Sequence, residues 1–407
     1  MNSFIMKVVR SVSAITLTLS VAFVIAPSGA VAQQNSDTIK IGGTLSLTGP
    51  LAPTAAMHKI AGEVYVKQLN EGDGLHGRKV EWILLDDQSK PELARTLYER
   101  LITKDKVDFI SSPYSANIAL AVMPVAERYG KALITSTFSM PKLSRYARHF
   151  TAWSVGPTPE VSIPTLVLDT LAGAGKIPKT MAIVTGKTPA ADFIAAGARE
   201  VAKQRGVDVN LYLEYEFGTR DFGPIAARVR QADPDLLFVG ALGLEGNMLL
   251  EALEKLNYAP RNHFYLYPSP GPLAASKLGA NALATALFED LPPMNQSKAA
   301  SDFISAYRSA AAQANLPYQE ADTQPAAMYS TLQTLTAAVR ETKSLDDSKI
   351  ADWLKVNSVE TLIGKLRFDG PGNFGADLTK IKQVQNGKWV VVAPKGFATP
   401  GATVIAK

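Results

Sequence analysis

No cysteine occurs among the 407 residues. That excludes disulfides, thiolate metal sites, a thiol nucleophile and the acylated cysteine of a bacterial lipoprotein. Histidine is scarce: His58, His76, His149 and His263 lie far apart, with no HxxxH or HExxH spacing, so they read as packing or surface residues rather than metal ligands. No GxSxG nucleophile elbow and no Walker-type loop occurs. Charge is sparse, at 19% of residues and a formal net of +5, without a basic run interleaved with aromatics. Nucleic-acid binding is therefore not expected. Beyond residue 32 no run of about 18 apolar residues exists that would span a bilayer as a helix. No cofactor, metal site or catalytic residue is expected.

What is present begins with a leader. Lys7 and Arg10 form a positive n-region, Ser11–Ile25 an apolar stretch too short to span a membrane, and Ala30-Val31-Ala32 a small-x-small cleavage site. Residues 1–32 are read as a Sec-type signal peptide cut after Ala32. Its removal takes the formal charge from +5 to +3 and predicts a soluble chain in the periplasm, diffusing free of a lipid anchor. An apolar fraction of 46% and a length that suggests two to three domains are those of a globular protein with a large core.

The most telling stretch is Val107–Leu143. Val107–Ile110 reads as a buried strand, broken by Ser111-Ser112-Pro113-Tyr114-Ser115. A helix follows with Ile118, Val122, Val125, Ala126 and Tyr129 on one face and a kink at Pro124. Ala132–Thr135 is a second strand, ending in Thr135, Ser136, Thr137 and Ser139. Ligands of parallel sheets bind beyond the strands' carboxyl ends. Ser115, as helix N-cap beside free N–H groups, suits an anion such as a carboxylate. The same hydroxyls also serve simply to cap and turn the chain.

The rest of the chain repeats this alternation. Thr38–Leu47 is a strand, about 53–70 a helix, Lys79–Leu85 a strand, and Pro91 opens a helix carrying Leu93, Leu97 and Leu101. Residues 150–178, rich in Pro, Gly and Thr, predict a domain boundary. Strands at 181–185, 209–214, 235–240 and 263–267 then alternate with helices at 190–205, 223–231 and 247–256. Pro268–Pro272 and Pro292-Pro293 read as loops, followed by helices near 298–314, 324–341 and 346–356. Strands are expected at 364–368, 379–385 and 388–392, the last two joined at Asn386-Gly387 as a hairpin. The pattern is that of α/β, doubly wound, mostly parallel sheets.

Three local features need weighing. Asp86-Asp87 ends a strand, where adjacent residues point to opposite faces, so the pair reads as strand-end caps rather than an acid pair. Gly240–Gly246 has GxxGxxG spacing, not the dinucleotide fingerprint, and reads as a strand-end loop. Trp153 stacks on a ligand or is buried.

Several segments together resemble the leucine/isoleucine/valine-type solute-binding proteins of bacterial ABC transporters: IGGTLSLTGPLA (41–52), QLNEGDGLHGRKVEW (68–82), LLDDQSKPELA (84–94), VDFISSPYSA (107–116), ALITSTFSMPKL (132–143), EFGTRDFGPIAARV (216–229) and VNSVETLIGKLRFDGPGNFG (356–375). The resemblance implies a two-lobe, type I periplasmic-binding-protein fold with three interlobe crossovers, and a cleft that closes on its ligand by hinge motion. It divides the chain into an N-terminal lobe of 37–155 plus 292–364 and a C-terminal lobe of 156–291 plus 365–407. It also implies a monomer that delivers its ligand to an inner-membrane ABC permease, with a periplasmic sensor of the same fold as the alternative.

The resemblance further implies a binding set. Ser115, with Ala116, falls where the family holds a ligand carboxylate, and Thr137 and Ser139 match the groups after the fourth strand. Thr54, Ala190 and Leu242 stand where the amino-acid binders carry tyrosines. Ser269 or Pro270 stands in place of the ammonium-binding glutamate. The carboxylate half of the site is kept and the ammonium half is lost, unless Asp192 or Glu245 supplies the anion from the second lobe. The expected ligand is a small carboxylate, an amino acid or an organic or aromatic acid, with one lacking an α-ammonium favoured.

Overall fold

The structure, a computed structural model, describes residues 38–268 and 270–407. The expected leader (1–32) and Ser269 lie outside the described residues.

The first half of the alternation forms as its hydrophobic pattern demands. Strand β1 (Thr38–Leu45) buries Ile39, Ile41 and Leu45. Helix α1 (Ala52–Glu71) lays Met57, Ile60, Ala61 and Val64 on the core. Strand β2 (Lys79–Asp86) and helix α2 (Pro91–Thr103), with Pro91 in its first turn, follow. After the short strand β3 (Phe109–Ile110) comes helix α3 (Ala116–Arg128), with Pro124 inside it. β1 is central and parallel to both neighbours, in the order β2-β1-β3. Strand β4 (Leu133–Thr135) pairs in parallel with β5 (His149–Thr151). Tyr129, expected on the buried face of α3, instead ends the helix 36% exposed, its hydroxyl donating to Glu99 Oε1 at 3.0 Å. At this edge the phenol keeps its polar tip paired while its ring ends the helix.

The second group is built on a seven-stranded sheet. Helix α4 (Pro159–Gly173) occupies the stretch 150–178 that composition marked as a boundary. Pro159 sits in its first turn, where the missing N–H costs nothing. Pro164 leaves the Glu160 carbonyl without its intrahelical donor. That carbonyl lies against Gly197 of α5 (Pro189–Gln204), where an added Cβ would come within 2.0 Å of it. The two helices therefore approach more closely than any larger residue permits.

Strands β6 (Thr180–Gly186), β7 (Asp208–Tyr215), β8 (Leu236–Gly243) and β9 (Asn262–Pro268) are parallel, with helices α6 (Gly223–Ala232) and α7 (Glu245–Lys255) between them. β8 runs through Gly243, so the glycine-rich segment is largely strand rather than loop. The Pro268–Pro272 segment is not a loop: a short helix α8 (Pro270–Ala275) starts on its proline. Strand β10 (Leu283–Ala286), not foreseen, continues the sheet.

Helices α9 (Lys298–Gln313), α10 (Thr323–Thr342) and α11 (Asp347–Val356) return to the first group, α10 and α9 packing on α1 and α11 on α10. A hairpin, β11 (Ser358–Thr361) and β12 (Gly364–Arg367), precedes β13 (Lys380–Gln385) and β14 (Lys388–Ala393), which close the large sheet in the order β14-β13-β10-β9-β8-β6-β7. Asn386 and Gly387 have φ of 52° and 74°, the positive values a two-residue hairpin requires. The segments leading to α4 and to β13 are themselves paired: Gly156 N–H donates to Ala376 O at 3.1 Å and Leu378 N–H to Ser154 O at 2.9 Å. Among the described residues no helix is long and apolar enough to cross a membrane.

Candidate ligand-binding site

Strand carboxyl ends of both sheets converge on a cavity of ≈ 260 Å³. Its first wall is the turn after β3. There Ser111 Oγ accepts from Trp82 Nε1 at 2.9 Å. Ser112 Oγ donates to Pro113 O at 2.6 Å and accepts from Ser136 N–H at 2.8 Å. These serines are structural, since they tie the turns after β3 and β4 together.

Ser115 behaves differently. It precedes α3 as expected, yet its side chain makes no capping hydrogen bond. Its Oγ is buried without a partner, and its backbone is held at φ 78°, ψ 148°, a region occupied essentially by glycine. Its N–H donates to Thr137 Oγ1 at 3.1 Å. The expectation that this hydroxyl caps the helix is therefore corrected: the positive φ turns the side chain away from the first-turn amides. A buried hydroxyl left unpaired is costly, as are the free N–H groups of a helix start. Both are in place here beside a cavity.

Six of the nine expected site residues line this cavity: Ser115, Ala116, Thr137, Trp153, Ala190 and Leu242. Trp153 is buried as well, edge-on to Tyr267 with ring centroids 5.4 Å apart. Thr54 lines an adjoining cavity of ≈ 320 Å³ that shares Tyr114, Tyr267 and Gln324 with the first. Ser139 is buried and does not line the cavity; its hydroxyl lies close to that of Tyr267. Ser269 falls outside the described residues.

Sequence reasoning missed Tyr114, Phe217, Tyr267 and Gln324. Tyr114 adjoins Ser115, and Tyr267 stands at the end of the HFYLY strand. The strand-end rule applied evenly finds both. Gln324 carries no such signal, because it reaches the cavity from the first turn of α10, far along the chain.

Among the described residues no Lys, Arg, Asp or Glu lines the ≈ 260 Å³ cavity. Of the two acids considered as ammonium partners, Glu245 accepts from Tyr215 OH at 3.1 Å and Gly218 N–H at 2.8 Å and lines instead an adjoining cavity of ≈ 810 Å³ that shares Leu51, Tyr114, Phe217 and Leu242 with the first. Asp192 Oδ1 has no partner, and burial together with Glu214 pushes its carboxyl up, but it does not line the cavity. Asp87 is a strand-end cap as expected, accepting from Thr44 Oγ1 and Ser46 Oγ at 2.7 Å each. His58 and His149 are buried packing residues, which holds them neutral by pushing them down to about 4 and about 3.

A family model described as periplasmic binding protein matches residues 38–388. The chain belongs to the periplasmic binding protein family. The family is one of solute-binding proteins, not of enzymes. A leucine-, isoleucine-, valine-, threonine- and alanine-binding protein of Pseudomonas aeruginosa is 22% identical over 83% of this chain and 87% of its own length. The leucine-binding protein of Thermotoga maritima superposes with a TM-score of 0.75 at 18% identity, covering 89% of this chain and 99% of its own. A solute-binding protein of an ABC transporter from Rhodopseudomonas palustris, solved with 3,4-dihydroxybenzoic acid, gives 0.72 at 20% identity over 87% and 95%. The family thus bears out the expected type I α/β architecture. The resemblance read from IGGTLSLTGPLA, VDFISSPYSA and the segments between them is borne out with it.

Proposed function

We propose that this periplasmic binding protein captures a small carboxylate without an α-ammonium and presents it to an inner-membrane ABC permease. One observation carries the reading: the unpartnered Ser115 Oγ and the start of α3 open on a cavity that no acidic side chain lines. A carboxylate satisfies the hydroxyl and the helix-start amides together. A buried ammonium needs an anion, and leaving it unpaired costs several kcal/mol by estimates of roughly 3–5. Of the ligands named for its relatives, the dihydroxybenzoate of the Rhodopseudomonas protein fits these requirements better than leucine. Trp153, Tyr114 and Tyr267 supply aromatic faces for such a ring.

The lobes are taken as 37–155 plus 292–364 and 156–291 plus 365–407. The paired segments 154–156 and 376–378 form part of the hinge between them, and the leader exports the chain to the periplasm. Calorimetric titration with benzoate and with leucine tests the ligand class. Benzoate binding with leucine inert is expected. Leucine binding below about 10 μM, near −7 kcal/mol, with aromatic and aliphatic acids inert overturns it.

A further inference from the structure

Beneath the wall between the two adjoining cavities runs a buried hydrogen-bonded chain that the carboxylate site does not use. His58, on α1, stacks against Tyr114 with ring centroids 4.9 Å apart. Its Nε2 lies 2.9 Å from Gln324 Oε1 and its Nδ1 3.3 Å from Ser136 Oγ. Complete burial keeps the imidazole neutral, so one ring nitrogen donates and the other accepts. An amide oxygen only accepts, so Nε2 carries the proton and Nδ1 accepts from Ser136. With Oε1 facing His58, the other end of the Gln324 amide, Nε2 with its two donors, points away from it. Gln324 lines both cavities, and its Nε2 has no partner among the described residues.

We propose that Gln324 is a specificity-determining residue whose amide N–H groups donate to an oxygen on the part of the ligand remote from its carboxylate. The preferred ligand is then a carboxylic acid bearing a second oxygen acceptor, such as a hydroxyl or carbonyl, rather than an apolar or ammonium-bearing acid. An amide presented donor-first repels an ammonium and leaves a hydrocarbon nothing to accept with. The inference rests on the carboxylate reading above. It gives a role to the hydrogen-bonding side chain that stands beside the aromatic faces of Tyr114 and Tyr267 in both cavities.

The test is calorimetry on the full protein with benzoate, 3-hydroxybenzoate and 4-hydroxybenzoate as probes, for the wild type and for Gln324→Met. The expected result is that one hydroxybenzoate binds about tenfold more tightly than benzoate to the wild type, and that Gln324→Met brings the ratio to near one. A wild type without that preference, or a preference retained in Gln324→Met, overturns the inference while leaving the carboxylate reading intact. A wild type that binds none of the acids overturns both. Should Gln324→Met fold poorly, the side-chain amide resonances of Gln324 in the wild type decide. They shift more on saturation with the preferred hydroxybenzoate than with benzoate if the inference holds, and equally if it does not.

Discussion

Replacing Ser115 by alanine separates the two roles that a serine before a helix can have. A capping serine costs about 1 kcal/mol of stability when truncated. Ser115 makes no cap, and its Oγ is buried without a partner. Removing an unpaired buried hydroxyl relieves a penalty of about 1–3 kcal/mol, so the ligand-free Ser115→Ala protein should be as stable as the wild type or more so. Ligand affinity should move the other way. Losing a hydrogen bond to a carboxylate costs about 1.5–3 kcal/mol, roughly ten- to a hundredfold in Kd, with the helix-start amides retaining the remainder. Ser115→Gly sharpens the contrast. At φ 78°, ψ 148° a non-glycine residue carries strain of order 1–3 kcal/mol, which glycine releases. Its ligand-free form should be the most stable of the three, with affinity reduced at least as far as in Ser115→Ala. The assays are urea denaturation of the ligand-free proteins and calorimetric titration with benzoate. Unchanged affinity together with a loss of about 1 kcal/mol in ligand-free stability would refute the reasoning and return Ser115 to a capping role.

Three further outcomes follow from groups that do not line the cavity. Burial pushes His58 and His149 down from 6.5 to about 4 and about 3. The stability each contributes is fully present above the unfolded value and is lost as pH falls from 6.5 toward those folded values. Proton NMR should show neither ring titrating between about pH 8 and 5, and a midpoint near 6.5 in the folded protein contradicts this. Lys382 Nζ donates to Glu289 Oε1 at 2.6 Å with side chains only 3% and 6% exposed. Lys382→Met, which strands Glu289 near Asp322, should cost about 3–5 kcal/mol in urea denaturation, and adding Glu289→Leu should recover most of it. A single-variant loss below about 1 kcal/mol argues that the pair is not closed to water. Gly197→Ala forces α4 and α5 apart at the Glu160 carbonyl and should destabilise by about 1–3 kcal/mol. An unchanged thermal midpoint would show that the helices yield without cost.

Much of the fold was legible because it rests on periodicity. The apolar runs and their 3.6-residue alternates predicted β1, α1, β2 and α2, and β6 through β9, to within a few residues of where they stand. Asn386-Gly387 announced its hairpin because only positive φ closes a two-residue turn. The errors came where local signals compete with packing. The Pro268–Pro272 segment reads as a loop, yet α8 starts within it, since a first-turn proline lacks only a hydrogen bond that it would not have made. Strand β10 has four residues and no pattern of its own, so its neighbours β9 and β13 decide it.

The site divides along the same line. The strand-end rule alone placed Ser115 and Thr137 together, because parallel strands put their carboxyl ends side by side whatever the remaining residues are; Ala116 joined them through the resemblance. Only the tertiary structure decided which hydroxyls are free. Ser111, Ser112 and Ser136 are consumed by long-range hydrogen bonds, while Ser115 is turned out of its cap by a single positive φ, and a run of serines looks the same in either case. Tyr267 and Gln324 arrive from β9 and α10, and the Gln324 amide meets His58 of α1, 266 residues away in sequence. No local pattern records such a contact, because it is the packing of whole elements, not the residues beside it in the chain, that brings it about.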